Sequence, residues 1–537
     1  GDVYILIKKL WFYAAQFTRF TKVETYKHYN HHWYERGACP FMLGLMFPEF
    51  EGFEAMRERG REVINQHLEL DFFDDGSYLE HSTCYNAGTM GADLLVPWTC
   101  AFANDFPLIK PENLGHVRSW LSWCAGLTRP DGVLPAIGDE FDSTPLNRLG
   151  RGAVLLGDPG LKGFSESLNA LAGGAEALGY WADNVLGLEE CLLPAWEALP
   201  SDRPSFASAV FPDGGWVALR DSWEPDAMYF ALSAIRPPMG ANHGHWDLLH
   251  FLAYARGRSF IADPASWIYN GYYTAERRGY LYSMESHNVL TIDEDPLISK
   301  RELYSIWTGD VPECTVAEWS LGEEADFVSA YHDGYVPQRH TREVLFVKGK
   351  YWLIVDHVSN PDLDWEHTYR RLLHLDFGVE LSDGGDRLVA QSNGEALTVV
   401  PFASGDQEFR QWRDEYLEPE REKLGKTALP WVAEVRSRAT GPTVMAMLLY
   451  AHHGDDVPML GLRPIEVEGN GGAVPASEAI ALEVETPEGC DVWYRSFGTG
   501  GEMRFGDHRS DARAWLHLGA ADRSIAIETT VRGDTRE

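Results

Sequence analysis

Between residue 2 and about 196, apolar residues recur at three- and four-residue spacing, the mark of helices that bury one face. Segments 52–69, 86–104, 113–127, 165–181 and 185–196 carry it best. Pro107, Pro111, the Arg129-Pro130-Asp131-Gly132 turn and Asp158-Pro159-Gly160 punctuate the pattern, as connections between successive antiparallel helices do. The character changes across 198–215, which begins Leu199-Pro200-Ser201-Asp202-Arg203-Pro204 and ends Pro212-Asp213-Gly214-Gly215. Beyond it, short β-rich runs are bounded by turn residues: 216–219, 228–234, 343–348, 351–358, 397–402, 443–451, 478–485, 491–495 and 523–531. Helices followed by strands, rather than alternating with them, predict an α+β multidomain chain. The expected division is a helical domain over 1–200 and an antiparallel β-sheet domain over 201–537, with a central part at 205–400 and C-terminal strands over 400–537.

Composition narrows the class. At 537 residues the chain is longer than one core usually organises. Its 45% hydrophobic content, with 19 Trp, 23 Tyr and 25 Phe, excludes disorder and supplies rings that stack on sugars as well as fill a core. The formal charge of −35 repels nucleic acid and anionic membrane, so neither is an expected partner. A polyanionic substrate would need a locally basic cleft, which screening over about 8–10 Å permits. Seven Cys, scattered and without a CxxC pair, give neither a disulfide framework nor a thiolate zinc site. No run approaches the roughly 18 apolar residues of a membrane span. The chain opens on Gly1 rather than Met and shows no signal peptide, so export is not read from it.

The densest polar cluster is Ala241-Asn242-His243-Gly244-His245-Trp246-Asp247, followed by the apolar run 248–254. On an extended strand, His243 and His245 share a side, so one holds a metal while the other faces substrate, or both bind. Downstream stand Asp263-Pro264 at a strand end, an aromatic stretch with Trp267, Tyr269, Tyr272 and Tyr273, and Ser286-His287-Asn288-Val289-Leu290, where a His opens another strand. His245, Asp263 and His287 together offer two imidazoles and a carboxylate, a set suited to Zn²⁺ or Mn²⁺.

This succession, Asn242-His243-Gly244-His245 through Asp263-Pro264 to Ser286-His287-Asn288, resembles the signature of the heparinase II/III family of polysaccharide lyases. The resemblance implies an N-terminal (α/α) toroid followed by a multilayer antiparallel β-sheet, and a metal on His245, Asp263 and His287 with a structural role. Asp75-Gly76-Ser77-Tyr78-Leu79-Glu80 through Tyr85 is similar to the family's DGxxxExSxxY element, which makes Tyr85 the proton carrier. Asn30 and His31 resemble the pair with which the alginate-lyase branch grips a uronate carboxylate. The helical half is shorter than a full toroid usually requires, so helices preceding Gly1 or an incomplete toroid are expected. Segments 339–345 and 351–356 read as β-domain scaffold.

β-Elimination beside a carboxylate needs that charge neutralised, a base for the α-proton and an acid for the departing glycosidic oxygen. Asn30 and His31 fit the first need by stabilising enolate-like charge. Tyr85 and His243 fit the other two, although a free Tyr titrates near pH ~10 and serves as a base only beside a cation or donor. Asn242, Tyr269, Tyr272, Glu80 and Arg278 are the expected substrate contacts, with Arg277 a further candidate for anionic groups. The expected partner is an acidic polysaccharide or oligosaccharide, glycosaminoglycan or alginate. The expected setting is secreted or periplasmic in a bacterium, with the cytoplasm open. The alternatives are a uronate C5-epimerase, a glycoside hydrolase using Glu80 with Asp139 or Glu140, and a carbohydrate-binding protein.

Overall fold

The computed structural model describes residues 4–5, 7–12, 16, 31–139, 145–171, 188–204, 207–236, 243–264, 274–295, 297, 312–361, 364–403, 405–454, 458–498 and 501–532. The chain divides into two units after Ala207, inside the turn-rich 198–215 stretch, and Gly240–Gly244 groups with the first unit.

The first unit is helical. Helix α1 is His31–Met46 and α2 is Phe53–Asp71. In α2 the three- and four-residue spacing of Phe53, Met56, Gly60, Val63, Ile64 and Leu68 buries one face, while Glu54, Glu58, Glu62 and Glu69 stay exposed. The two helices pack almost backbone to backbone: a methyl on Gly60 would stand 2.4 Å from Gly37 O, and one on Gly44 would stand 2.2 Å from Phe53 O. Helix α1 escapes a reading by spacing because Gly37, Pro40 and Gly44 lower its propensity, and the close packing that needs those glycines overrides it. Helices α3 (Met90–Ala103), α4 (Leu114–Leu127), α5 (Leu146–Leu156), α6 (Pro159–Leu171) and α7 (Leu188–Ala198) follow.

The second unit is antiparallel sheet. Strands β1 (Ala209–Phe211), β2 (Trp216–Arg220), β3 (Tyr229–Ser233), β4 (His250–Ala255) and β5 (Arg258–Ile261) form a five-stranded meander. A nine-stranded sheet holds β7 (Cys314–Leu321), β8 (Ala325–His332), β9 (Arg339–Val347) and β10 (Tyr351–Ser359); β6 (Leu290–Ile292) pairs with β11 (Glu366–His374) in a four-stranded one. Strands β9 and β10 are buried on both faces. Val344, Phe346, Trp352 and Ile354 enter a core shared with the meander, whereas Leu345, Val347, Leu353 and Val355 enter a second core with Leu482, Val484, Trp493 and Leu516. That two-sided burial is why their sequences read as near-continuous apolar runs.

Burial disfavours the protonated form of two histidines in this fold. Burial holds His332 well below its ordinary range and pushes His357 down to about 4. Below pH ~6.5 the unfolded chain takes up protons these rings refuse, so stability falls with pH by about 1.4 kcal/mol per unit for each ring. For His357 the loss ends near its folded value. Urea titrations between pH 7 and 4 are expected to show this slope, reduced by one ring's share in His357→Phe, which keeps the stack on Phe497.

Candidate active site

Three segments of the first unit build the polar centre. After α2, the Ser77 N–H donates to Asp75 Oδ1 at 2.9 Å, turning the chain back so that Phe72 bridges to Tyr78. The following residues pin a second segment: Thr83 N–H donates to Ile137 O (3.1 Å), Ile137 N–H donates to Thr83 Oγ1 (3.1 Å), and Ser82 Oγ donates to Asp139 O (3.2 Å). The chain then enters a π-helical turn, Cys84–Thr89, a local widening that re-aims side chains and carries Tyr85. The third segment is anchored by Asp139 N–H, which donates to His243 O at 2.9 Å.

These supports bring three side chains together. The Tyr85 and His243 rings stack with centroids 3.6 Å apart and planes 8° from parallel. His243 Nδ1 meets Asp139 Oδ2 at 2.9 Å. Asp139 is nearly enclosed, whereas 19% of the His243 side chain is exposed, so the ring keeps an open edge. An imidazole held this way has its Nδ1–H directed at a carboxylate, which puts the lone pair of the neutral ring on Nε2.

The structure revises how His243 is presented. Its φ of 61° lies in the left-handed region and residues 243–245 are not strand, so the shared-face relation expected of His243 and His245 does not hold. Asp139, which the sequence offered only as a hydrolase carboxylate, is instead the partner of a ring 104 positions away. Glu80 is 3% exposed, buried rather than on an open face. Arg278 lies over the Tyr282 ring at 5.3 Å, and Arg277 is buried and paired with Glu420, which removes it as a free contact for anions. Asn30, Asn242, Tyr269, Tyr272 and Glu140 lie outside the described residues, as does the side chain of His31 at the start of α1.

Gly138 packs tightly between the segments that carry His81 and His243. Its φ is +77°, and a Cβ on it would sit 2.7 Å from His243 O, 2.9 Å from His81 O and 3.0 Å from Ser82 Cβ. Gly138→Ala is therefore expected to strain the left-handed residue by about 1–2 kcal/mol and push His243 aside. Displacement on the order of 1 Å costs roughly 100-fold in rate, so kcat falls far more than the thermal midpoint. Steady-state kinetics beside a melting curve checks this.

A second polar cluster lies inside the β unit. His250, Asp263 and His287 bring donor atoms within 4.8 Å of one another, all buried. His250 Nε2 stands 3.5 Å from Asp263 Oδ2, and His287 Nδ1 stands 3.3 Å from Asp263 Oδ1. His245, expected from the sequence as the third ligand, is not in this group, although its ring stands 5.4 Å from the His287 ring, centroid to centroid. Burial would raise the Asp263 carboxyl, but His287 and His250 hold it well below the usual carboxylate range. Burial works against a proton on His287, yet Asp263 beside it raises the imidazole overall. His250 is pushed down to about 3 by burial, and Asp247 up to about 6.

The His287–Asp263 pair fits a divalent ion. Two ligands about 2.0–2.2 Å from a tetrahedral ion lie roughly 3.3–3.6 Å apart, the spacing found between His287 and Asp263. Asn288 fixes the frame: its Nδ2 donates to Phe251 O (2.8 Å) and Ala262 O (2.9 Å), and its Oδ1 accepts from His374 N–H (2.6 Å). Buried Arg342 adds Nη1 bonds to Leu249 O (2.6 Å) and Asn288 O (3.1 Å) while pairing with Asp356. The residues beside His250 and His287 are thus tied to β9, the segment read from sequence only as scaffold.

Comparison with known proteins sets this arrangement in a family. The Heparinase II/III N-terminus profile matches residues 6–150, and the Heparinase II/III-like, C-terminal profile matches 203–441. The chain belongs to the heparinase II/III-like family. It is 21% identical to a heparin-sulfate lyase of Pedobacter heparinus over 328 residues, 61% of this chain and 44% of that protein. It is 25% identical to an exo-oligoalginate lyase of Saccharophagus degradans over 185 residues, 31% of this chain and 24% of that protein. The chain thus spans less than half the length of these curated relatives. The crystal structure of heparinase III superposes with a TM-score of 0.70 at 16% identity, covering 90% of this chain and 69% of that one, which shows a shared fold. Among the described residues, no helix is long and apolar enough to cross a membrane.

Proposed function

We propose that this chain is a polysaccharide lyase that cleaves uronate-containing acidic polysaccharide, glycosaminoglycan or alginate, by β-elimination. The observation that carries the reading is the Tyr85–His243 stack with Asp139 on His243 Nδ1. One of the two side chains removes the proton at C5, α to the carboxylate. The electron pair forms the C4=C5 double bond, the C4–O bond breaks, and the other side chain protonates the departing oxygen. Which one acts as base depends on the face of the sugar that carries the proton. Asn30 and His31 are assigned to the uronate carboxylate, where hydrogen bonding spreads the developing negative charge.

The family and the names of both curated relatives support lyase chemistry, and nothing in them favours epimerisation. The hydrolase reading is disfavoured for Asp139, which is engaged by His243; Glu140, the other carboxylate it named, lies outside the described residues. Asp263, His287 and His245 would hold one divalent ion, zinc or manganese, which would fix the fold around 245–287 rather than act on substrate.

Absorbance of unsaturated uronate is the direct test. Incubation with heparan sulfate, chondroitin sulfate, hyaluronan and alginate is expected to give a rise with one of them and a shortened polymer. Chains that keep their length while incorporating solvent deuterium at C5 would replace elimination with epimerisation.

A further inference from the structure

His250 stands as near to Asp263 as His287 does, and ring spacing does not separate ligands from neighbours. The His287 ring lies 5.3 Å from that of His250 and 5.4 Å from that of His245. The hydrogen bond on the far side of His250 does separate them. The backbone N–H of Asn288 donates to His250 Nδ1 at 2.9 Å in a fully buried setting. A backbone amide is only ever a donor, so Nδ1 keeps its lone pair for it and the proton of the neutral ring sits on Nε2. An Nε2 that carries a proton has no lone pair for a metal. Ligation through it would require the imidazolate.

We infer that His250 is not a metal ligand but a positioning residue, whose Nε2–H is directed at Asp263 Oδ2 and leaves Asp263 Oδ1 to face the ion with His287. The geometry divides the carboxylate accordingly, with Oδ1 3.3 Å from His287 Nδ1 on one side and Oδ2 3.5 Å from His250 Nε2 on the other. Among the described residues, His250 Nε2 makes no hydrogen bond of ordinary length, and Asp263 Oδ2 is the acceptor it faces, at 3.5 Å. The donor set is then His245, Asp263 and His287, two imidazoles rather than three. Each partner is fixed in turn: the Asn288 amide sets the His250 tautomer, and His250 sets the carboxylate, as outer partners of metal ligands commonly do. The inference rests on the reading that the cluster binds a divalent ion.

The test counts imidazoles. The full chain is stripped with a chelator, loaded with zinc and examined by zinc X-ray absorption, with affinity measured by competition against a chromophoric chelator. Wild type is expected to show two imidazole ligands. His250→Gln keeps a donor near the Nε2 position and is expected to retain two imidazoles and bind zinc within about tenfold of wild type. His250→Ala is expected to keep two imidazoles with affinity weakened about 10–100-fold, the usual cost of losing an outer partner. His245→Ala should lose one imidazole. Three imidazoles in wild type, or one fewer in either His250 variant, would overturn the inference while leaving the metal reading intact. Wild-type protein that takes up no zinc overturns the metal reading and this inference with it. The wild-type count needs no variant to fold.

Discussion

Tyr85→Phe is expected to leave a folded protein that still binds polymer and turns it over on the order of 10³-fold more slowly. The substitution removes one oxygen. Its ring, which lies against His243 with centroids 3.6 Å apart, remains, so the stack and the π-helical turn that presents it survive. What is lost is the only atom of that side chain able to carry a proton, and a well-placed acid or base is worth about 10²–10⁴ in rate. The loss belongs in kcat, with KM changed little, because the hydroxyl acts on an atom whose charge changes in the transition state. Initial rates of unsaturated-uronate formation, beside circular dichroism and direct polymer binding, make the check. A variant within tenfold of wild type would remove Tyr85 from the chemistry and leave His243 to act with a different group. A variant that no longer binds would make Tyr85 a sugar contact.

Legibility in the sequence followed the range of the interactions. The α-then-β order rested on periodicity, a local signal, and each strand predicted between 216 and 495 has a counterpart, such as Tyr351–Ser359 for 351–358 and Thr443–His453 for 443–451. Helix α1 was hidden because its glycines answer to a partner helix rather than to their own segment. Tyr85 and His243 were named through motif resemblance, and nothing local to either states that they stack. Asp139 was the harder case. A carboxylate after a glycine is ordinary loop chemistry, and its meaning comes from Ser82 and His243, contacts 57 and 104 positions away. The alternation rule failed at His243 because it presumes extended backbone, and one residue at φ 61° breaks it. His250 read as part of an apolar strand, and only the Asn288 amide beside it gives it a role.

Asp139→Asn carries the other large effect. A carboxylate can only accept at neutral pH, so it fixes His243 with the proton on Nδ1 and the lone pair on Nε2. An amide in the same place can present its NH₂, which makes Nδ1 the acceptor and moves the proton to Nε2, where a base needs none. It also removes the negative charge that stabilises an imidazolium formed during proton transfer. Together these are expected to lower kcat by about 10²-fold or more, with KM within about threefold of wild type and the melting temperature little changed. The backbone bonds that hold the segment, Asp139 N–H to His243 O and Ser82 Oγ to Asp139 O, do not involve the carboxylate. Asp139→Glu keeps the charge and the acceptor on a longer stem, so it should recover part of kcat, whereas Asp139→Ala should not. A role confined to holding the loop predicts another pattern, in which all three variants lose stability in proportion to activity and Glu offers no rescue. A rise in KM at constant kcat would instead place Asp139 against the substrate, and His243 would then need a different group to orient it.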